Sequence, residues 1–200
     1  PSLVACQAGA ASIKTGKPVK FVLKRKEDVL DSPKRHPSVI HYKAALDEHN
    51  TITGIKADVI LDGGAYLTTS LTVMQRCLIT ITGVYNIPSL RVYGKVAKTN
   101  RVPTGAFRGF GAPQSHYAIE TLMDHIAKFV GEDPMYFKMR HLVKQGDKTS
   151  TSGKYWYPVI LPQMIKKADE LMDYSKKRRT YARQTGRYRK GIGMGLSIHG

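Results

Sequence analysis

The stretch Thr99–Gln114, TNRVPTGAFRGFGAPQ, is the part of the chain around which the rest is organised. Gly105, Gly109 and Gly111, with Gly94 shortly before them, surround Phe107, Arg108 and Phe110, and a segment of helical periodicity begins near Pro113. This order predicts a loop seated under a helix N-terminus. Glycine lets a backbone come close to a ligand, and a helix start adds unpaired N–H donors at the positive end of a dipole. Two phenylalanines would be costly on a free loop, so at least one is expected to face a pocket or the core.

Working outward, Gln114–Val130 places Ala118, Ile119, Leu122, Ile126 and Phe129 on one helical face and Asp124, His125 and Lys128 on the other. A second helix is expected over Asp133–Leu142, with Pro134 in its first turn, and another over Leu161–Leu171. Upstream, Leu90–Lys98 reads as a strand leading into the loop. Val39–Leu46 and Ile52–Leu61 alternate as an antiparallel pair around Asn50. Val19, Phe21 and Leu23 alternate as a further half-buried strand, Lys26–Asp31 reads as a short acidic turn, or one turn of helix, ended by Pro33, and Ser2–Thr15 as a buried helix stopped by Gly16. The chain ends in GIGMGLSIHG, which reads as a strand. Alternating strands and helices predict an α/β (mixed α+β) fold. Within the apolar run Ser70–Thr82, Arg76 must be paired or face a cavity, because an unpaired buried charge is expensive.

The 200 residues are 42% hydrophobic and 24% charged, a composition able to build a real core. No apolar run approaches a membrane span and no signal pattern opens the chain, so a cytoplasmic protein is expected. Cys6 and Cys77 are far apart and without CxxC spacing, so neither a disulfide framework nor a zinc or iron–sulfur site is signalled, and two buried free thiols are expected. The net charge of +17 would attract nucleic acid, an acidic partner or an anionic cofactor. No nucleic-acid fold motif accompanies it, and a surface inside a larger assembly is the favoured reading. The same choice arises at Lys176–Lys190, where basic residues interleave with Tyr181 and Tyr188: a phosphate-binding arm, or a solvated helix and connector, the second being expected. His116, Glu120 and Asp124 recur every fourth residue, a spacing more usual for a salt-linked face than for a metal site. His36 reads as a hydrogen-bonded turn histidine. GIGMG at Gly191–Gly195 lacks the strand-then-helix context of a dinucleotide fingerprint.

The segment GAFRGFGAPQ resembles the AFRGFG(G/A)PQ loop of the molybdenum hydroxylases, the xanthine dehydrogenase and aldehyde oxidase family, in their molybdopterin-binding subunit or domain. KTGKPVKFVLKRKEDVL, the RHP at Arg35–Pro37 and YNIPSLRVYGKVAKTN also resemble that family's sequence, and the likeness is strongest over Lys14–Gly146. The resemblance implies that residues 1–200 form part of the molybdopterin-binding domain, truncated at both ends, with a basic connecting region at 150–190. It implies that the backbone of Phe107, Arg108 and Gly109 binds the molybdenum–molybdopterin cofactor. Arg108 would lie near the metal without supplying a side-chain ligand. Phe110 corresponds to an aromatic that contacts a flat substrate ring. Arg76 corresponds to an arginine that holds a substrate carbonyl oxygen and stabilises charge building there. Aldehyde oxidases generally lack that arginine, so the resemblance points to purines.

The implied reaction is hydroxylation of a xanthine- or hypoxanthine-like purine, or a related N-heterocycle, at an electron-poor carbon. Electrons would leave through iron–sulfur centres and FAD on other domains or subunits of an oligomeric assembly. The family's catalytic glutamate would lie beyond Gly200 and its glycine-rich cofactor loop before Pro1, so the 200 residues alone are expected to be inactive. Two alternatives stand beside this reading: an aldehyde-oxidising member, and an inactive basic module that binds nucleic acid.

Overall fold

In the computed structural model, residues 2–198 are described, with side chains from residue 4 onward. Strand β1 (Ser38–Leu46) turns back into β2 (Ile52–Gly64), and the two pair antiparallel from Ser38 opposite Leu61 to Leu46 opposite Ile52. The turn forms where Asp47 Oδ1 accepts the amides of His49 at 2.9 Å and Thr51 at 2.7 Å, and Asn50 takes φ +59°. Along β2 the apolar residues Ile55, Ala57, Val59 and Leu61 fall on one buried face, as period-two alternation requires. Helix α3 (Ser70–Ile79) then crosses over to β3 (Ser89–Lys98), which runs parallel to β2 and completes a three-stranded sheet in the order β1-β2-β3.

Helix α3 lies close on the sheet because β3 carries Gly94. A Cβ there would stand 2.6 Å from Met74 Sδ and 3.0 Å from the Leu78 methyls. Beneath α3, Ala57, Val59 and Leu61 of the sheet meet Val73, Met74 and Cys77 of the helix in one core. A second core joins Tyr85, Ile119, Met123, Phe137, Ile165 and Tyr174. It is assembled by α4 (Ala112–Phe129), α5 (Pro134–Arg140), α6 (Leu161–Met172) and α7 (Tyr174–Ala182).

Buried polar groups connect these parts. His141 Nδ1 lies 2.7 Å from Phe137 O, and its Nε2 accepts the Ile52 amide at 3.1 Å, which fixes a neutral tautomer donating from Nδ1. Lys138, with a side chain only 3% exposed, bridges Glu120 at 3.0 Å and Asp124 at 2.8 Å and donates to Met194 O at 3.0 Å. Burial alone would lower its pKa, but the two carboxylates outweigh this and hold it above the usual lysine value. The stripe His116, Glu120, Asp124 is thus salt-linked at two of its members, and no group of three potential metal ligands occurs among the described residues.

Several expectations change. Residues Ser2–Thr15 do form a helix, α1, but its side chains from residue 4 onward are mostly exposed, because no other described element packs broadly over them. Cys6, on α1, is accordingly exposed, whereas Cys77 is buried. Lys26–Asp31 lies within a short helix, α2 (Arg25–Asp31). Val19–Leu23 joins no strand, and Phe21 is 40% exposed; alternation makes a strand only where a sheet edge is within reach. Phe129 is 85% exposed in the last turn of α4, past the packed part of its face. Residues 191–198 form no strand, because side chains rather than a neighbouring strand take their backbone groups: Lys138 takes Met194 O, and Glu120 accepts the Leu196 amide at 3.0 Å. The last two residues of that expected strand lie outside the described ones. No helix among the described residues is long and apolar enough to cross a membrane.

Candidate cofactor and substrate site

The loop Thr99–Gly111 leaves the C-terminal end of β3 beside the end of its parallel neighbour β2, the side of an α/β sheet where crossovers leave a crevice. Asp62, near the end of β2, anchors its base. The Asp62 carboxylate accepts from Thr99 Oγ1 at 2.7 Å and the Gly64 amide at 3.0 Å, and Arg101 lies 3.5 Å away. The Thr99 hydroxyl first, then the Gly64 amide and Arg101, holds the Asp62 carboxyl below the usual carboxylate range. Thr104 donates from Oγ1 to Asp62 O at 2.7 Å, and Thr68 donates to Thr104 O. Gly105 donates to Lys34 O at 3.0 Å, so the loop is stitched to the segment between α2 and β1.

Beyond these anchors the backbone becomes irregular. Gly109, Phe110 and Gly111 have φ of +88°, +52° and +99°, three successive left-handed residues leading into α4. Phe110 is the costly member of that run, since a side chain there is rarely tolerated without support. Its support is packing: the half-buried Phe110 ring rests on the core beneath α3. Gly111 is required, because a Cβ would stand 2.4 Å from Val73 O. Phe107, 49% exposed, and the exposed Arg108 face outward. Cys77 lies under Gly111, and burial pushes its thiol up to about 11, which keeps it protonated and unreactive.

Arg76 sits half-buried on α3, one residue from Cys77. It lines a cavity of about 220 Å³ with Thr80, Thr149, Ser150 and Tyr155, a wall that contains none of Phe107–Phe110. Among the predicted residues, Phe107, Arg108 and Gly109 therefore form one group, Phe110 stands on the helix that carries Arg76, and Arg76 opens on a neighbouring space.

The sequence reading did not assign Arg35, His36, Ser70 and Gln114 to the site. Arg35 Nη2 donates to Arg108 O at 2.6 Å and its guanidinium lies 4.7 Å from the centre of the Phe107 ring. His36, 2% exposed, shares a hydrogen bond with Ser70 Oγ at 2.7 Å, and its carbonyl accepts from Gln114 Nε2 at 3.2 Å. Burial holds His36 below the ordinary histidine pKa, the Asp62 charge opposing this. The signal was the RHP string at Arg35–Pro37, whose role depends on contacts more than thirty residues away.

The donor set suits an anionic, oxygen-rich group. No Asp or Glu occurs in Thr99–Gln114, Arg108 is exposed, and the N-terminus of α4 points its dipole at the loop. Arg35 Nη1 is buried without a hydrogen-bond partner among the described residues. Residues 1–142 match the molybdopterin cofactor-binding domain.

The chain belongs to the molybdopterin cofactor-binding domain family. Its relatives include nicotinate hydroxylase of Emericella nidulans, 34% identical over 83% of this chain and 13% of that protein. A putative xanthine dehydrogenase molybdenum-binding subunit of Escherichia coli is 30% identical over 90% of this chain and 24% of its own length. The aldehyde oxidoreductase of Desulfovibrio desulfuricans superposes with a TM-score of 0.77 at 30% identity, covering 88% of this chain and 19% of that one. This molybdopterin-binding chain thus spans less than a quarter of each of these three relatives.

Proposed function

We propose that this chain forms one wall of the active site of a molybdenum hydroxylase that oxidises a purine or a related N-heterocycle. The observation that carries the reading is the Phe107–Gly111 loop, packed beneath the N-terminus of α4 and against the helix that bears Arg76. The backbone of Phe107, Arg108 and Gly109 would hold the cofactor, Arg108 lying near the molybdenum without ligating it. The cofactor supplies the oxygen-transfer and two-electron chemistry when bound.

The chain's own residues bind and orient. Phe110 offers its ring edge to a planar heterocycle, fixing it by contact area and quadrupole. Arg76 donates from its guanidinium to a ring carbonyl oxygen and stabilises negative charge as it builds there, work suited to a forked and permanently charged group. The relatives named for nicotinate, xanthine and aldehydes keep the substrate open, and Arg76 is what favours purines. On this reading residues 1–200 are part of a larger molybdopterin-binding domain, residues 150–190 are a basic connector, and iron–sulfur and flavin partners receive the electrons.

The test uses the full-length assembly. Molybdenum is expected at one per subunit. Arg76→Met should lower kcat/KM for xanthine by roughly 100-fold or more, about the loss of one transition-state donor, and leave a small aldehyde within about threefold. Equal losses for both substrates would remove the role given to Arg76, and an assembly without molybdenum would overturn the reading.

A further inference from the structure

The peptide between Arg108 and Gly109 is free of regular secondary structure and is followed by three left-handed residues. Such a peptide can flip at small cost, since glycine accepts either sense of φ. A trans peptide is planar with C=O and N–H pointing in opposite directions, so whatever holds Arg108 O also decides where Gly109 N–H points. Arg35 holds it. Its Nη2 donates to Arg108 O at 2.6 Å, its plane rests on the Phe107 ring at 4.7 Å, and Gly109 N–H makes no hydrogen bond among the described residues.

Arg35 is itself held in place. The next residue, His36, is fixed to the start of α3 through Ser70 and to the first turn of α4 through Gln114. One short segment between α2 and β1 therefore sets the loop relative to both helices. Arginine suits the task because one planar group donates from Nη2 to Arg108 O while its face rests on the Phe107 ring, whereas lysine offers a point charge.

We infer that Arg35 is a positioning residue: by clamping Arg108 O and the Phe107 ring it fixes Gly109 N–H as an outward donor to an anionic oxygen at the loop. The catalytic part of the inference rests on the molybdenum-hydroxylase reading; the clamp does not.

The test compares Arg35→Met and Arg35→Lys with the parent in the full-length protein. In cofactor-free protein, amide exchange is followed at Phe110 and Ala112, which donate within the loop to Phe107 O at 2.7 Å and Gly109 O at 3.0 Å. Loss of a charge-assisted bond should speed their exchange roughly ten- to a hundredfold, with β2, β3 and the melting temperature unchanged. Unchanged exchange in Arg35→Met overturns the clamp, and full restoration by lysine overturns the role of stacking on the Phe107 ring. In cofactor-loaded protein, Arg35→Met should lower kcat about tenfold or more, keep KM within about twofold and shift the Mo(V) electron paramagnetic resonance spectrum. An unaltered spectrum and kcat overturn the positioning role. Molybdenum missing from the parent as well defeats the functional reading alone, and the exchange measurement then decides on Arg35.

Discussion

Histidine 141 shows how a single buried residue ties stability to pH. Its Nε2 must be unprotonated to accept the Ile52 amide, and burial first, then the nearby Arg140 charge, favours the neutral ring over the opposing pull of Phe137 O. Its folded pKa lies below the ordinary value of 6.5, so the unfolded chain takes up a proton first as the pH falls. Stability is then complete above about pH 6.5 and declines as the pH drops through the folded pKa. The urea midpoint should fall between pH 7.5 and pH 5, and less so in His141→Gln; equal slopes would show that His141 does not contribute. His36, also depressed by burial, acts in the same direction, so the variant removes only part of the slope.

At the scale of elements, two glycines make close contacts with opposite tolerance. Gly94→Ala meets the flexible ends of Met74 and Leu78, which can move, and should cost about 1 kcal/mol. Gly111→Ala meets Val73 O at 2.4 Å and must also hold φ at +99°. Backbone cannot yield as a methionine tip does, so the expected cost is about 3 kcal/mol, read from denaturant unfolding. A Gly111→Ala cost equal to that of Gly94→Ala would mean that the loop does not rest on α3 as described. Lys138 joins α5, α4 and the segment 191–198. Lys138→Met would leave the Glu120 carboxylate, 13% exposed, without its cation, and about 3 kcal/mol should be lost. Proteolysis should then cut first within residues 191–198.

For the whole molecule, the net charge of +17 is spread over a surface that includes the exposed Lys176, Arg179, Arg183, Arg187, Arg189 and Lys190. Self-repulsion of that size destabilises the folded state and is screened by salt over a Debye length of about 8–10 Å. Raising sodium chloride from 20 to 300 mM (about 0.02 to 0.3 M on the same scale) should raise the urea midpoint. A fall would show that net attraction among surface charges dominates. Arg178 is the member of the cluster already committed inside the fold, paired with Asp133 at 2.9 Å. Within the region read as a basic connector, α7 is thus tied to the N-cap of α5.

Local chemistry was enough to mark the β1–β2 pair, β3, the helices after the loop and the loop itself, because period-two and period-3.6 patterns and glycine spacing are properties of neighbouring residues. It also drew attention to Phe107, Phe110 and Arg76, whereas the roles given to them rest on the family resemblance. Local pattern failed where burial depended on a partner: α1 has helical residues but nothing above it, Val19–Leu23 alternates without a sheet edge, and residues 191–198 are held by Lys138 and Glu120 instead of a strand. The contacts of Arg35 and His36 lay beyond sequence pattern for the same reason. Their partners Arg108, Ser70 and Gln114 are distant in the chain, and only the folding of α3, α4 and the loop around one short segment brings them within hydrogen-bond reach.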